Sequence, residues 1–176
     1  MVNGDAGNLP FAANSFSLII SNLMLQWPQA KTAVLDEVWR VLKPGGTLLL
    51  TTLIKPSLFE LQQAWCLVDD KPHTLEFLTT DEYLCMFKSR GFKLVKSGNW
   101  QTTYLFPTLP TLLRHFKTTG TGLAKSCCNQ GLGGKKCLQQ LAENYQRLAA
   151  KNDFLPLTYA YLLVVTTKAE CRINAS

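Results

Sequence analysis

No stretch of this 176-residue chain carries the roughly 20 consecutive apolar residues that a membrane-spanning helix requires; runs such as Leu48-Leu49-Leu50 and Tyr161-Leu162-Leu163-Val164-Val165 fall far short. The N-terminus lacks the basic-then-apolar pattern of a signal peptide, so the expectation is a cytoplasmic protein with no membrane contact. C-x-x-C spacing is absent among the six cysteines, Cys66, Cys85, Cys127, Cys128, Cys137 and Cys171, and only His73 and His115 could complete a metal site. No metal is expected, and reduced structural thiols are the reading. The adjacent Cys127 and Cys128 lie in a polar, Gly-rich stretch where oxidation in a purified sample is conceivable. Long runs of Lys or Arg are missing too, so a formal net charge of +6 does not argue for nucleic acid. An acidic partner and a solvated basic surface both agree with that charge.

What is present suits one ordinary domain: 47% of the residues are hydrophobic and 17% charged, enough to bury a core without disulfide staples. Strands and helices alternate. Phe16-Ser17-Leu18-Ile19-Ile20 is a short apolar run ending at the polar pair Ser21-Asn22, as in a buried parallel strand. From Lys31 to Leu42, Val34, Leu35, Val38 and Val41 or Leu42 recur at helical spacing, with Asp36, Glu37, Arg40 and Lys43 on the other side. Pro44-Gly45-Gly46 is expected to stop that helix, and Thr47 to Ile54 to form a strand. Leu58 to Val68 and Thr80 to Ser89 read as helices, and Phe92 to Ser97, after Gly91, as a strand. Such helix-Gly-strand alternation is typical of α/β folds.

The second half is less regular. Leu109 to Lys117 and Lys136 to Ala150 have helical patterns, Thr118 to Lys135 reads as a Gly-rich surface loop, and Thr158 to Lys168 as a closing strand. No internal repeat is evident. The expectation is a single partial domain over 1–176, with 109–150 as a helical lid segment.

Near the start, Gly4-Asp5-Ala6-Gly7-Asn8-Leu9-Pro10-Phe11 crowds turn-forming residues around one carboxylate and reads as a strand end entering a ligand-facing loop. That segment, then Ser15-Phe16-Ser17-Leu18-Ile19-Ile20-Ser21-Asn22, then Arg40-Val41-Leu42-Lys43-Pro44-Gly45-Gly46-Thr47, resembles in order and spacing the second half of a class I S-adenosylmethionine-dependent methyltransferase. A narrower resemblance overlies it. Ser21-Asn22-Leu23-Met24-Leu25-Gln26-Trp27, Thr51-Thr52-Leu53-Ile54, Glu60-Leu61-Gln62-Gln63-Ala64-Trp65, Val68-Asp69-Asp70-Lys71-Pro72-His73, Lys117-Thr118-Thr119-Gly120 and Pro156-Leu157-Thr158-Tyr159 are similar to the malonyl-acyl-carrier-protein O-methyltransferase of biotin synthesis, the BioC family.

The resemblance implies an α/β fold: the second half of a Rossmann-like methyltransferase sheet with a helical lid insertion and its first strands missing. It implies S-adenosyl-L-methionine as cofactor and malonyl-acyl carrier protein as substrate. Asp5 would meet the adenine amino group with Ala6 beside it, Asp5 otherwise capping a turn. Ser21, Asn22 and Leu23 would lie at the carboxyl end of a strand, near the methionyl part of the cofactor, and Gln26 at the same mouth. Trp27 and Trp65 would pack core or lid. The catalytic residues are not identified; His73 and Lys117 are the candidates for positioning the substrate. The Gly-rich cofactor loop and ribose acid of a complete member have no counterpart before Gly4, which implies a truncated chain, inactive alone, with a separately encoded N-terminal half as a possible partner.

Two alternatives follow from departures. The family resembles His-x-Asn-x-Phe, whereas Thr74-Leu75-Glu76-Phe77 follows His73 here, so a methyltransferase for another small molecule is the second reading. The third is a non-catalytic remnant or carrier-binding module. Lys125, Lys135, Lys136, Arg147 and Lys151, with Glu143 as the only acid among them, would suit an acidic carrier or form a solvated surface.

Overall fold

A computed structural model describes residues 2–119, 131–149 and 153–169. Its elements are β1 (Phe16–Asn22), α1 (Lys31–Val41), β2 (Leu42–Ile54), α2 (Phe59–Cys66), α3 (Thr80–Ser89), β3 (Phe92–Phe106), α4 (Leu109–Thr119), α5 (Gly131–Ala149) and β4 (Leu155–Lys168). The strands form a four-stranded sheet in the order β1-β2-β4-β3, the α/β arrangement expected. Two compact units are distinguishable, one of 1–54, 78–100 and 161–176, the other of 55–77 and 101–160.

In the first unit, α1 turns Val34, Leu35, Val38 and Val41 into the core, where they are at most 7% exposed. The helix ends at Val41, before Pro44-Gly45-Gly46. Leu42 already has extended φ and ψ of −70° and 137°, so the expected stop signal lies inside β2. The residue before a proline avoids helical ψ, and the glycines then serve the strand entry. Gly45 has φ +74°, and a Cβ on Gly46 would sit 2.8 Å from the Lys43 carbonyl oxygen.

β1 pairs with β2 in parallel, Leu18 opposite Thr47 through Asn22 opposite Thr51. The parallel pairing was legible, but the burial was not: Leu18 is 51% and Ile20 65% exposed. β1 stands at the sheet edge, and an edge strand lacks the second neighbour and the covering layers that bury strands inside parallel sheets. α3 begins with a capping box, Thr79 Oγ1 accepting from Glu82 N at 3.2 Å and Glu82 Oε2 from Thr79 N at 2.7 Å. Phe87 and Trp39 meet Phe92 edge-on. Lys168, at the end of β4, donates to the Trp39 and Leu42 carbonyls, both at 2.7 Å, and to Asn14 Oδ1 at 3.0 Å. A cation is thereby fixed against the negative end of α1.

In the second unit α2 packs on α5, burying Leu61, Ala64 and Trp65 with Leu141 and Tyr145. Tyr145 donates its hydroxyl to the Pro156 carbonyl, and burial pushes its pKa well up. The segment before α2 docks on β4: Ser57 Oγ donates to Ala160 O and accepts from Ala160 N, both at 2.9 Å, and Leu58 N donates to Thr158 O at 2.7 Å. Glu60, 4% exposed, then takes both the Thr158 hydroxyl and the Thr158 N–H on its carboxylate.

Several boundaries move. β2, β3 and β4 are longer than their apolar runs, and α5 begins at Gly131 rather than Lys136, so 118–119 and 131–135 of the expected loop are helical, and its remaining positions lie outside the described residues. Trp27 is 42% exposed, not packed, whereas Trp65 is buried as expected. Cys66 and Cys85 are free but exposed, and Cys137 is free and half-buried, so these thiols do not pack a core. Cys127, Cys128 and Cys171 lie outside the described residues. No described helix is long and apolar enough to cross a membrane, and no metal-holding cluster of His, Cys, Asp or Glu occurs among the described residues.

Candidate functional site

In the first unit the site is built from the Gly4–Phe11 loop and the loop leaving β1. Asp5 Oδ1 accepts from Gly7 N at 3.0 Å, and Asn8 N donates to the Asp5 carbonyl at 3.0 Å. The carboxylate thus caps its own turn, while remaining exposed beside half-buried Ala6. Both geometric halves of the Asp5 expectation are compatible, since a carboxylate keeps a second oxygen for a ligand.

The loop's position comes from residues that the sequence places on the side of α1 opposite its apolar face. Glu37 Oε2 accepts from Leu9 N at 2.7 Å, and Arg40 donates to the Phe11 and Leu9 carbonyls at 2.8 and 2.9 Å while pairing with Glu37 at 2.7 Å. A forked guanidinium and a carboxylate together satisfy three loop backbone groups. The only available signal was an i,i+3 Glu-Arg pair on an amphipathic helix. The Arg40 hydrogen bond, with that from Leu9, holds the Glu37 carboxyl at about 2 against an ordinary 4.5.

That depression sets a pH dependence. The fold favours the Glu37 anion, so the stabilisation is complete above about 4.5 and is lost as the pH falls through about 2. Thermal unfolding of wild type and Glu37→Gln should therefore differ at pH 7 and converge towards pH 2. A gap that stays constant would show that the pair does not hold the loop.

At the end of β1, Leu23 has φ +50°, a left-handed conformation that bulky side chains rarely adopt and that clusters at functional loops. Leu23 N donates to Thr51 O at 3.0 Å and to Thr51 Oγ1 at 3.2 Å, and the Thr51 hydroxyl donates to Asn22 Oδ1. Gln26 Nε2 reaches Leu23 O at 2.7 Å and Thr52 Oγ1 donates to Gln26 Oε1 at 3.2 Å. Tyr83 meets the same Thr52 hydroxyl at 3.4 Å, its own pKa raised by burial. Gln26 is therefore not a mouth residue but a 3% exposed brace. Ser21 and Asn22 end β1 and Leu23 opens the following loop, and the Ser21 hydroxyl is buried with no partner among the described residues.

In the second unit, His73 is 3% exposed, its Nε2 bonded to the Asp69 carboxylate and its ring stacked on Trp65 at 3.9 Å. The His73 bond, with one from Lys71 N at 3.0 Å, lowers the Asp69 pKa. Gln62 Nε2 donates to Thr74 Oγ1 at 2.9 Å and steadies the same segment. Leu75 is half-buried and Glu76 exposed. Lys117 lies on α4, but its side chain lies outside the described residues, as do Lys125, Lys135 and Lys151. Asp69 and Trp65 went unrecognised as His73 partners, although the i,i+4 spacing of Asp69 and His73 was a visible signal.

The family described as "Methyltransferase domain" matches residues 1–50. The Malonyl-[acyl-carrier protein] O-methyltransferase of Herminiimonas arsenicoxydans is 33% identical over 97% of this chain and 65% of that protein. The Biotin biosynthesis bifunctional protein BioHC of Saccharophagus degradans is 32% identical over 90% of this chain and 29% of that protein. Among solved structures, a Bacillus halodurans protein assigned as a methyltransferase aligns with a TM-score of 0.63 at 19% identity, over 94% of this chain and 70% of that one. The YcgJ protein of Bacillus subtilis aligns at 0.55 and 20%, over 95% and 70%.

Sheet, loops and matches together define a chain of the class I S-adenosylmethionine-dependent methyltransferase fold. Within that fold it is similar to a malonyl-[acyl-carrier protein] O-methyltransferase and to a biotin biosynthesis bifunctional protein, spanning just under two thirds of the length of the first and under a third of the second.

The implied cofactor fits the residues present only in part. The exposed Asp5 carboxylate and the unpartnered Ser21 hydroxyl offer polar contacts. The described residues of this unit hold no Gly-rich cradle beside them.

Proposed function

We propose that this chain supplies part of a methyltransferase that esterifies the free carboxylate of malonyl-acyl carrier protein. The observation that supports it most is the 33% identity extending over 97% of the chain to a protein of that name. The cofactor, S-adenosyl-L-methionine, would provide an electrophilic methyl group. Asp5 and Ala6 would meet its adenine, and Ser21, Asn22 and Leu23 its methionyl end.

The reaction asks little acid-base chemistry of the protein. A carboxylate is already an anion near neutral pH, so the residues' task is to orient it in line with the methyl group and exclude water. His73 and Lys117 are the proposed substrate-positioning residues. The exposed Glu76 carboxylate argues against a close anionic contact at that position, which leaves room for a different small-molecule substrate.

Activity is proposed to require a ribose acid and a Gly-rich loop, which the described residues do not supply and which the N-terminal part of a relative could add. The proposed location is the cytoplasm, with acyl carrier protein as partner. The test is mass spectrometry of malonyl-carrier protein incubated with the chain, that added part and the cofactor. A methyl ester on the malonyl group is the expected product; methylation of free dicarboxylates but not of the carrier-bound group would move the reading to another substrate.

A further inference from the structure

In the first unit a groove runs between α3 and the start of β3 and shares no residue with the loops described above. It encloses about 520 Å³ and is lined by Leu84, Cys85, Phe87, Lys88, Phe92 and Leu94. Small-molecule sites of roughly 300–1,000 Å³ are walled in the same way, mostly by apolar side chains with a few polar groups among them.

The sequence builds the groove from two local patterns. Leu84, Phe87 and Lys88 recur at helical spacing on α3, and Phe92 and Leu94 alternate onto one face of β3. Phe87 and Phe92, 2% and 5% exposed, meet edge-on at 5.8 Å and close the inner side. Cys85, Lys88 and Leu94 are exposed at the rim, so a ligand reaches the groove directly from solvent.

The walls restrict the occupant. Four aliphatic or aromatic side chains and a thiol offer no strong hydrogen-bond partner, so a polar ligand body would lose its water without compensation. The body is therefore hydrocarbon. Lys88, the one charge in the lining, lies in the last turn of α3, whereas Asp81 and Glu82 lie in its first turn. Lys93 and Lys96 follow on β3, both exposed, and among the described residues no ion pair engages Lys88. An anionic head group complements that arrangement and a cationic one opposes it.

We propose that this groove binds a linear aliphatic carboxylate, its hydrocarbon tail against Phe87, Phe92 and Leu94 and its carboxylate at Lys88. Such binding needs neither the methyl donor nor the carrier protein, so it stands or falls apart from the proposed activity.

Cys85 supplies the reporter, because a ligand in the groove covers its thiol. Alkylation of the whole chain by iodoacetamide is followed by peptide mass spectrometry in the presence of decanoate, or of decyltrimethylammonium, which carries an equal tail and the opposite charge, each below its micelle concentration. Cys66, free and exposed on α2, is the internal control. Decanoate should slow alkylation of Cys85 about fivefold as it approaches saturation and leave Cys66 unchanged, and decyltrimethylammonium should have little effect on either. Lys88→Glu, a change at an exposed position, should exchange the two responses. Equal slowing of Cys85 by both amphiphiles would overturn the carboxylate assignment; slowing of Cys66 alongside Cys85, or no slowing of Cys85, would overturn the site.

Discussion

The isolated chain is expected to elute from a size-exclusion column as a dimer or larger species, and Ile20→Lys to return it towards a monomer. β1 is at the sheet edge, paired on one side only, and its seven residues carry no charge. Leu18 and Ile20 are more than half exposed on it. An uncharged apolar edge is a template for another strand, and lysine is the usual guard against that. β3 forms the opposite edge and already carries Lys93 and Lys96, which is why β1 is the edge expected to associate. Because Ile20 is 65% exposed, the lysine costs the fold little. Light scattering alongside the column reads the mass; a wild-type monomer, or a lysine variant that associates unchanged, would refute the role of this edge.

Glu60→Ala is expected to cost the most stability of any single substitution considered. Its carboxylate takes the Thr158 hydroxyl and the Thr158 N–H in a buried setting. Removing it leaves the Thr158 N–H without this partner and the Thr158 hydroxyl with Thr103 Oγ1 at 3.0 Å, a loss of about 1–3 kcal/mol for the orphaned N–H, and opens a cavity beside them. The sum is about 3 kcal/mol, a large share of a domain's usual net stability. Glu60→Gln, which keeps the shape and one good acceptor, should lose only about 1 kcal/mol. Urea unfolding of the three proteins checks the order. An alanine variant within about 0.5 kcal/mol of wild type would mean that water replaces the carboxylate freely.

The same carboxylate illustrates what sequence reading could and could not reach. α1 and α3 were legible because their cores follow helical spacing, and α3 also carries the Thr79-to-Glu82 capping box. The parallel pairing of β1 and β2 followed from the intervening helix. Strand lengths were not legible: β2 begins at Leu42, across a register break that spans Lys43 to Gly46, and β4 begins at Leu155, before the proline that suggested a strand start further on. Glu60 read as one more helical polar residue, and its partner lies 98 positions away. The end of β1 at Ser21 and Asn22 was legible because a polar pair ends an apolar run. Glu37, Arg40 and Thr51, which position those loops, act across about thirty residues of chain and have no local signature. His73 was visible as a rare residue in a matching segment; its bond to Asp69 and its stack on Trp65 needed the fold.

The central claim is that this chain holds only part of a cofactor site. Calorimetric titration with S-adenosyl-L-methionine, of the chain alone and of the chain co-purified with the N-terminal part of the Herminiimonas relative, tests it directly. The ribose and backbone-cradle hydrogen bonds of a complete site have no Gly-rich loop to make them among the described residues beside Asp5 and Ser21. Losing three or four of them at about 1–1.5 kcal/mol each weakens binding about a thousandfold. The account therefore predicts no heat of binding below millimolar concentration for the lone chain and low-micromolar binding for the pair; low-micromolar binding by the lone chain would contradict it.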